Sequence, residues 1–211
     1  RFSNIRFQYE KLLQDGFQLA DISFSLRSST VYGLTGDNGA GKSTIARIIM
    51  RLESPLSGTV FFRGKDLQTI PRADLVSNVC YVGQFPEQQI TLSTVDQYRK
   101  KAHRTENEIS KALLHGYFDD ERRYPIAQLS PLDMKILCIA AFTCADTALV
   151  ILDEPTWGID AEGELRLCEV LLGIASHIPG ISILIISHDH GFIHALDAEV
   201  LRLEGGHIVT H

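Results

Sequence analysis

Val31-Tyr32-Gly33-Leu34-Thr35-Gly36-Asp37-Asn38-Gly39-Ala40-Gly41-Lys42-Ser43-Thr44 is the stretch on which the reading of this chain turns. Its first five residues form a short β-rich run, and a helical pattern occupies residues 42–52. Between strand and helix the residues fit G-x-x-x-x-G-K-[ST], a loop that cradles phosphates. Gly36, Gly39 and Gly41 let the backbone wrap a polyphosphate with its N–H groups turned inward, through dihedrals that a β-carbon resists. The helix that follows aims the positive end of its dipole at the same place. Asn38, Ala40 and Thr44 complete the expected cradle. In such a loop Lys42 bridges the β- and γ-phosphates and the Ser43 hydroxyl ligates Mg²⁺.

Outward from this loop, short β-rich runs alternate with helical patterns. Residues 4–9 and 17–26 alternate as antiparallel strands, joined by a polar turn at Gln14-Asp15-Gly16. Residues 59–62 and 79–82 read as further strands, and residues 64–77 as part loop and part helix. Residues 148–152 and 181–186 are continuous apolar runs, the signature of strands covered on both faces in a parallel sheet. A helix over 161–175, a helical turn near 192–196 and a closing hairpin across Gly205-Gly206 complete the pattern. Between about residues 86 and 145 no β-branched run occurs, which predicts a small helical subdomain inserted in the core. The expected fold class is α/β: one domain over 1–211, with a mainly parallel sheet, an N-terminal antiparallel β subdomain and the helical insertion.

The strand at 148–152 runs into Asp153-Glu154-Pro155-Thr156. Two adjacent carboxylates at the end of a buried strand are costly unless a cation sits there. Bound Mg²⁺ supplies that charge: Asp153 would hold it, and Glu154 would orient and deprotonate the water that attacks the γ-phosphorus.

Composition narrows the classes. The chain has 211 residues, 45% hydrophobic and 22% charged, the balance of a globular domain rather than a disordered one. Twenty Lys and Arg against 26 Asp and Glu give a net charge of −6, so nucleic acid is not an expected partner. The longest nearly apolar stretches, 136–145 and 170–175, fall far short of the ~18 residues that cross a bilayer. Cys80, Cys138, Cys144 and Cys168 show no pairing pattern and are expected to be reduced and structural. The chain opens Arg1-Phe2-Ser3-Asn4, without a secretory segment or an initiator Met, as a piece of a longer product would.

Taken in order, these residues resemble the nucleotide-binding domains of ABC ATPases over nearly the whole chain. The resemblance implies ATP and Mg²⁺ as cofactors. It places Tyr9 as the aromatic that stacks on adenine, and Gln84 as the residue that senses the γ-phosphate, reaches the metal and links to the helical subdomain. It makes His188, in Ser187-His188-Asp189, the switch that contacts the γ-phosphate, and Asp160, after Trp157-Gly158-Ile159, part of a dimer-facing loop. Glu154, His188 and Gln84 are thus the expected catalytic set, with Ser43, Gln84 and Asp153 around the metal. The run Gln84-Phe85-Pro86-Glu87-Gln88-Gln89-Ile90, followed by Thr94-Val95, is similar to that of importer ATPases in energy-coupling-factor systems. The stretch between Lys42 and Ser130 is too short for the coiled-coil arms of chromosome-maintenance relatives.

One segment departs from the family. Its L-S-G-G-Q signature, which closes over ATP held by the other subunit of a head-to-tail dimer, reads here Leu129-Ser130-Pro131-Leu132-Asp133. Ser130 can still cap a helix, Pro131 suits its first position and Asp133 the acidic position of a capping box. The phosphate grip should suffer: Pro131 has no N–H, Leu132 adds bulk and Asp133 adds negative charge. Two arrangements follow, an asymmetric pair with an intact homologous domain, or a homodimer with two weak sites. The expected role is a transport motor docked on transmembrane subunits at the cytoplasmic face of the membrane, with exposed apolar side chains between Phe85 and Val95. A soluble translation or repair protein and a non-hydrolysing ATP-binding scaffold are the competing classes.

Overall fold

The computed structural model describes residues 1–9, 18–105, 107–118 and 125–209. The turn expected at Gln14-Asp15-Gly16 lies outside the described residues, as does the charged run Asp119-Asp120-Glu121-Arg122-Arg123, whose composition predicts solvated surface. In chain order the elements are β1 (Phe2–Gln8), β2 (Gln18–Phe24), β3 (Val31–Gly36), α1 (Lys42–Ile49), β4 (Ser57–Phe62), β5 (Lys65–Asp66), α2 (Arg72–Asn78) and β6 (Val79–Val82). Helices α3 (Val95–Arg104), α4 (Glu108–Tyr117) and α5 (Pro131–Phe142) follow. Then come β7 (Leu149–Asp153), α6 (Ala161–His177), β8 (Ser182–Ile186), α7 (His190–Ala195), β9 (Glu199–Glu204) and β10 (His207–Val209).

A six-stranded sheet has the order β10-β9-β3-β8-β7-β6, parallel throughout except for the β9–β10 hairpin. A second, antiparallel sheet has the order β2-β1-β4-β5. The apolar runs of β7 and β8 explain the layering, because successive side chains point to opposite faces. Val150, Leu152, Ile183 and Ile185 enter a core with Ile136 and Ile139 of α5 and Leu167 and Leu171 of α6. Leu149, Ile151, Leu184 and Ile186 enter a second core with Ile45 and Ile48 of α1 and with Ile5 and Ile22 of the antiparallel sheet. Each such side chain contributes roughly 1.5–3 kcal/mol by leaving water. The two sheets also meet through a backbone bond, Ala20 N–H to Gly206 O at 2.9 Å.

Two expectations change. Helix α1 stops at Ile49, short of residue 52, because Arg51 turns left-handed at φ 53°. Of the apolar side chains between Phe85 and Val95 only Phe85, at 50%, is strongly exposed; Ile90 and Leu92 pack against the core and Val95 is fully buried. The four cysteines are free, three of them buried.

Candidate functional site

Four strands that lie side by side, β3, β8, β7 and β6, deliver their following residues to one edge of the sheet. Gly36 ends β3, Ser187 and His188 follow β8, Asp153 ends β7, and Gln84 comes two residues after β6. The carboxyl end of a parallel sheet is where such folds bind ligands. Tyr9, Asn38, Gly39, Gly41, Lys42, Ser43, Thr44, Gln84, Glu154 and His188 line one open cavity of about 570 Å³, joined there by Trp157. Of the other anticipated residues, Gly36 and Ala40 shape the loop, and Asp153 lies beneath Ser43, 5% exposed.

The loop takes the backbone that its glycines permit, with φ 144° at Gly36, 80° at Gly39 and 100° at Gly41. A β-carbon on Gly36 would come within 2.3 Å of the Leu203 carbonyl oxygen. Gly41 precedes α1 without a side-chain cap, so no side chain of its own competes for the N–H groups of the first turn. The Lys42 ammonium turns back on the loop, donating to Gly36 O at 2.7 Å and Asp37 O at 3.0 Å. The Tyr9 hydroxyl lies 3.4 Å from Thr44 Oγ1 and accepts from Arg47 at 3.5 Å, which brings β1 to the start of α1.

Ser43 Oγ donates to Asp153 Oδ1 at 3.1 Å, and the Tyr81 hydroxyl donates to Oδ2 at 3.4 Å. Burial pushes the Asp153 carboxyl above the usual carboxylate range, and the neighbouring Glu154 charge adds to this against the opposing Ser43 bond. A buried carboxylate in that state is the place where a cation relieves most. The donor chemistry fits Mg²⁺, a hard ion that takes a hydroxyl, one or two carboxylates and phosphate oxygens. Among the described residues no three His, Cys, Asp or Glu converge on a point, so such an ion would rely on nucleotide and water oxygens.

Glu154 sits at φ 48°, a left-handed conformation that costs a non-glycine residue roughly 1–3 kcal/mol. Its N–H donates to Ile186 O at 2.7 Å, which pins the turn to β8. Its Oε2 accepts from His188 Nδ1 at 2.9 Å and from Ser187 Oγ at 3.3 Å.

Gln84 opens a segment held at its far end by Gln89. The Gln89 amide accepts from Gly83 N–H at 2.9 Å and donates to Tyr81 O at 3.1 Å, bracketing the end of β6. The same run of sequence carried Gln89 into view, but not this two-point clamp. Tyr81 also escaped sequence reasoning; burial, the Asp153 charge and the Asp153 bond push its hydroxyl up to about 12, so it remains a donor.

At the head of α5, Asp133 N–H donates to Ser130 Oγ at 3.1 Å and Ser130 N–H to Asp133 Oδ2 at 3.3 Å, a reciprocal cap with Pro131 in the first turn. Leu132 leans inward, 3.4 Å from where a β-carbon of Gly163 would be. Asp133 faces Tyr117, whose hydroxyl is pushed to about 12 by burial and by that carboxylate. Asp160 caps α6, accepting from Gly163 N–H at 2.8 Å.

Comparison with known proteins gives a consistent picture. The family model described as ABC transporter matches residues 19–157. A putative ABC transporter ATP-binding protein of Listeria monocytogenes is 35% identical over 98% of this chain and 79% of its own length. The cobalt import ATP-binding protein CbiO of Salmonella typhimurium is 33% identical over 98% of this chain and 77% of its own. A putative ABC transporter ATP-binding protein of Clostridium tetani is 29% identical, and the chain spans 47% of its length. Among solved structures, cbiO1 of Clostridium perfringens, part of the ABC transporter complex cbiONQ, shares the fold with TM-score 0.83 at 24% identity, covering 99% of this chain and 85% of that one. A dimeric ATP-binding cassette in a post-hydrolysis state bound to ADP and Pi gives TM-score 0.77 at 18% identity, covering 98% and 95%. Among the described residues no helix is long and apolar enough to cross a membrane.

Proposed function

The chain belongs to the ABC transporter family as one of its ATPase domains, and on that premise we propose that it powers an importer from the cytoplasmic face of the membrane. The observation that carries this reading is the meeting of Lys42, Ser43, Gln84, Glu154 and His188 around one cavity at adjoining strand ends. Relatives named for cobalt and zinc import, and the Gln84-Phe85-Pro86-Glu87-Gln88-Gln89 run, support an importer of the energy-coupling-factor type.

The residues then take distinct tasks. Tyr9 stacks on the base. The loop N–H groups and Lys42, released from Gly36 O and Asp37 O, hold the phosphates. Ser43, Asp153 and Gln84 would hold Mg²⁺, which when bound neutralises phosphate charge and orients the chain of phosphates. Glu154 orients the attacking water and takes its proton, and His188 keeps that carboxylate aimed. A homologous domain closes the cavity from the other side, with Asp160 facing it, and transmembrane subunits dock beside Gln84.

The cap at the head of α5 favours an asymmetric pair. Ser130 Oγ already accepts from Asp133 N–H, Pro131 offers no donor, and Leu132 is packed inward. The partner's ATP, covered by residues 129–133, is held but turned over slowly; ATP on this chain's loop meets an intact signature and is hydrolysed. The test compares turnover by the purified chain with that of a P131G/L132G/D133Q variant. Restoring the glycine donors should raise turnover roughly 10²-fold, the value of a transition-state hydrogen bond. Equal rates would exclude the asymmetric pair in favour of a tolerated substitution.

A further inference from the structure

Lys135 lies in the second turn of α5 and is 3% exposed, more deeply buried than Lys42 of the phosphate loop at 6%. Its Nζ donates to the Trp157 carbonyl oxygen at 2.6 Å. Burial lowers the pKa of this ammonium, and the Glu87 carboxylate acts against that shift. An ammonium is kept in such a place only when a partner holds it.

We propose that Lys135 is a positioning residue: by gripping the Trp157 carbonyl it fixes the loop behind Glu154 to the head of α5, so that residues 129–133 and residues 157–160 move as one body. This rests on the ATPase reading above and deepens it. Three observations meet here. Gly158 lies against Pro131, with 3.7 Å between the ring and the place of an added β-carbon, and Leu132 lies against Gly163. The loop is bonded back to the catalytic turn through Trp157 N–H to Glu154 O and Ile159 N–H to Thr156 O, both at 3.2 Å. One turn further along α5, Cys138 Sγ donates to Pro86 O at 3.6 Å, in the segment that begins at Gln84. The tie therefore joins the surface that covers the partner's nucleotide to the glutamate that serves this chain's own. A pull on residues 129–133 reaches Glu154 through Lys135.

The experiment compares the wild-type chain with K135M, K135Q and K135R, with exchange measured free of nucleotide. Hydrogen exchange at the amides of Trp157 and Ile159 should rise at least tenfold in K135M and stay within threefold of wild type in K135R. Calorimetric Kd for Mg–ATP should change less than threefold in both, while kcat falls at least tenfold in K135M and is retained in K135R. If K135M does not fold, K135Q, whose amide falls short of the carbonyl, must show the same loosening. Wild-type exchange at these amides in the variant that folds overturns the proposal, as does a raised Kd with unchanged kcat. A wild-type chain that gives no heat with Mg–ATP defeats the ATPase reading instead, and the exchange comparison still decides the tie.

Discussion

His188 Nδ1 lies 2.9 Å from Glu154 Oε2, across the ends of two adjacent strands. A carboxylate only accepts, so Nδ1 carries the proton and the other ring nitrogen faces away from Glu154. The contact holds a glutamate whose backbone is itself strained, at φ 48°.

Glu154→Gln should therefore lower kcat by roughly 10²–10⁴-fold, the usual range for a lost general base, because an amide cannot take the proton. His188→Ala should lower it by roughly 10²-fold through loss of aim. In both, Mg–ATP affinity by calorimetry should stay within threefold. Wild-type turnover in Glu154→Gln would remove the hydrolytic role and favour an ATP-binding scaffold.

Gly36 and Gly39 separate space from backbone. Gly36→Ala meets the Leu203 carbonyl at 2.3 Å and a positive φ together. Strain and overpacking then sum to about 3 kcal/mol or more, and thermal melts should show a large fall in Tm. At Gly39 nothing lies within 4 Å of the added carbon. Gly39→Ala should cost about 1–2 kcal/mol and show itself mainly as weakened nucleotide binding.

Asp153 gives a pH signature. Its pKa is raised in the folded chain, so the native state binds more protons than the unfolded one, and stability from this group declines as pH rises from the unfolded value of about 3.8 through the raised one. Asp153→Asn removes that penalty: Tm of the nucleotide-free variant should exceed wild type at pH 7–8 and converge with it near pH 4. The same variant should lose the Mg²⁺ dependence of nucleotide binding. A Tm difference independent of pH would show that the carboxyl is not the source.

The cap at α5 opposes stability to phosphate grip. Ser130→Ala removes one acceptor and should cost about 1 kcal/mol, a fall in Tm of roughly 2–4 °C for a chain of this size. The P131G/L132G/D133Q variant should also melt lower, while its turnover rises. A variant both more stable and faster would contradict the trade.

Much of the fold was legible because its decisive strands are local signals. The apolar runs now seen as β7 and β8, and β6 at Val79–Val82, announce themselves without reference to distant residues. The end of α1 was not legible, because Arg51, an ordinary helix former, takes the left-handed turn that glycine usually marks. The burial of Ile90 and Leu92 was missed because it depends on packing against the distant core. In the site, the phosphate loop and the Asp153-Glu154 pair are contiguous and read easily. The Lys135 tie spans 22 positions and ends on a backbone carbonyl, which has no residue type to read.

The bond from Ala20 N–H to Gly206 O ties β2, the edge of the antiparallel sheet, to the turn of the β9–β10 hairpin. Tyr9 directly follows β1, the strand paired with β2. Disturbing that hairpin, by proteolytic nicking or by a bulky tag grafted after β10, would accordingly be sensed through β2 and β1 at Tyr9, where the nucleobase is expected to rest.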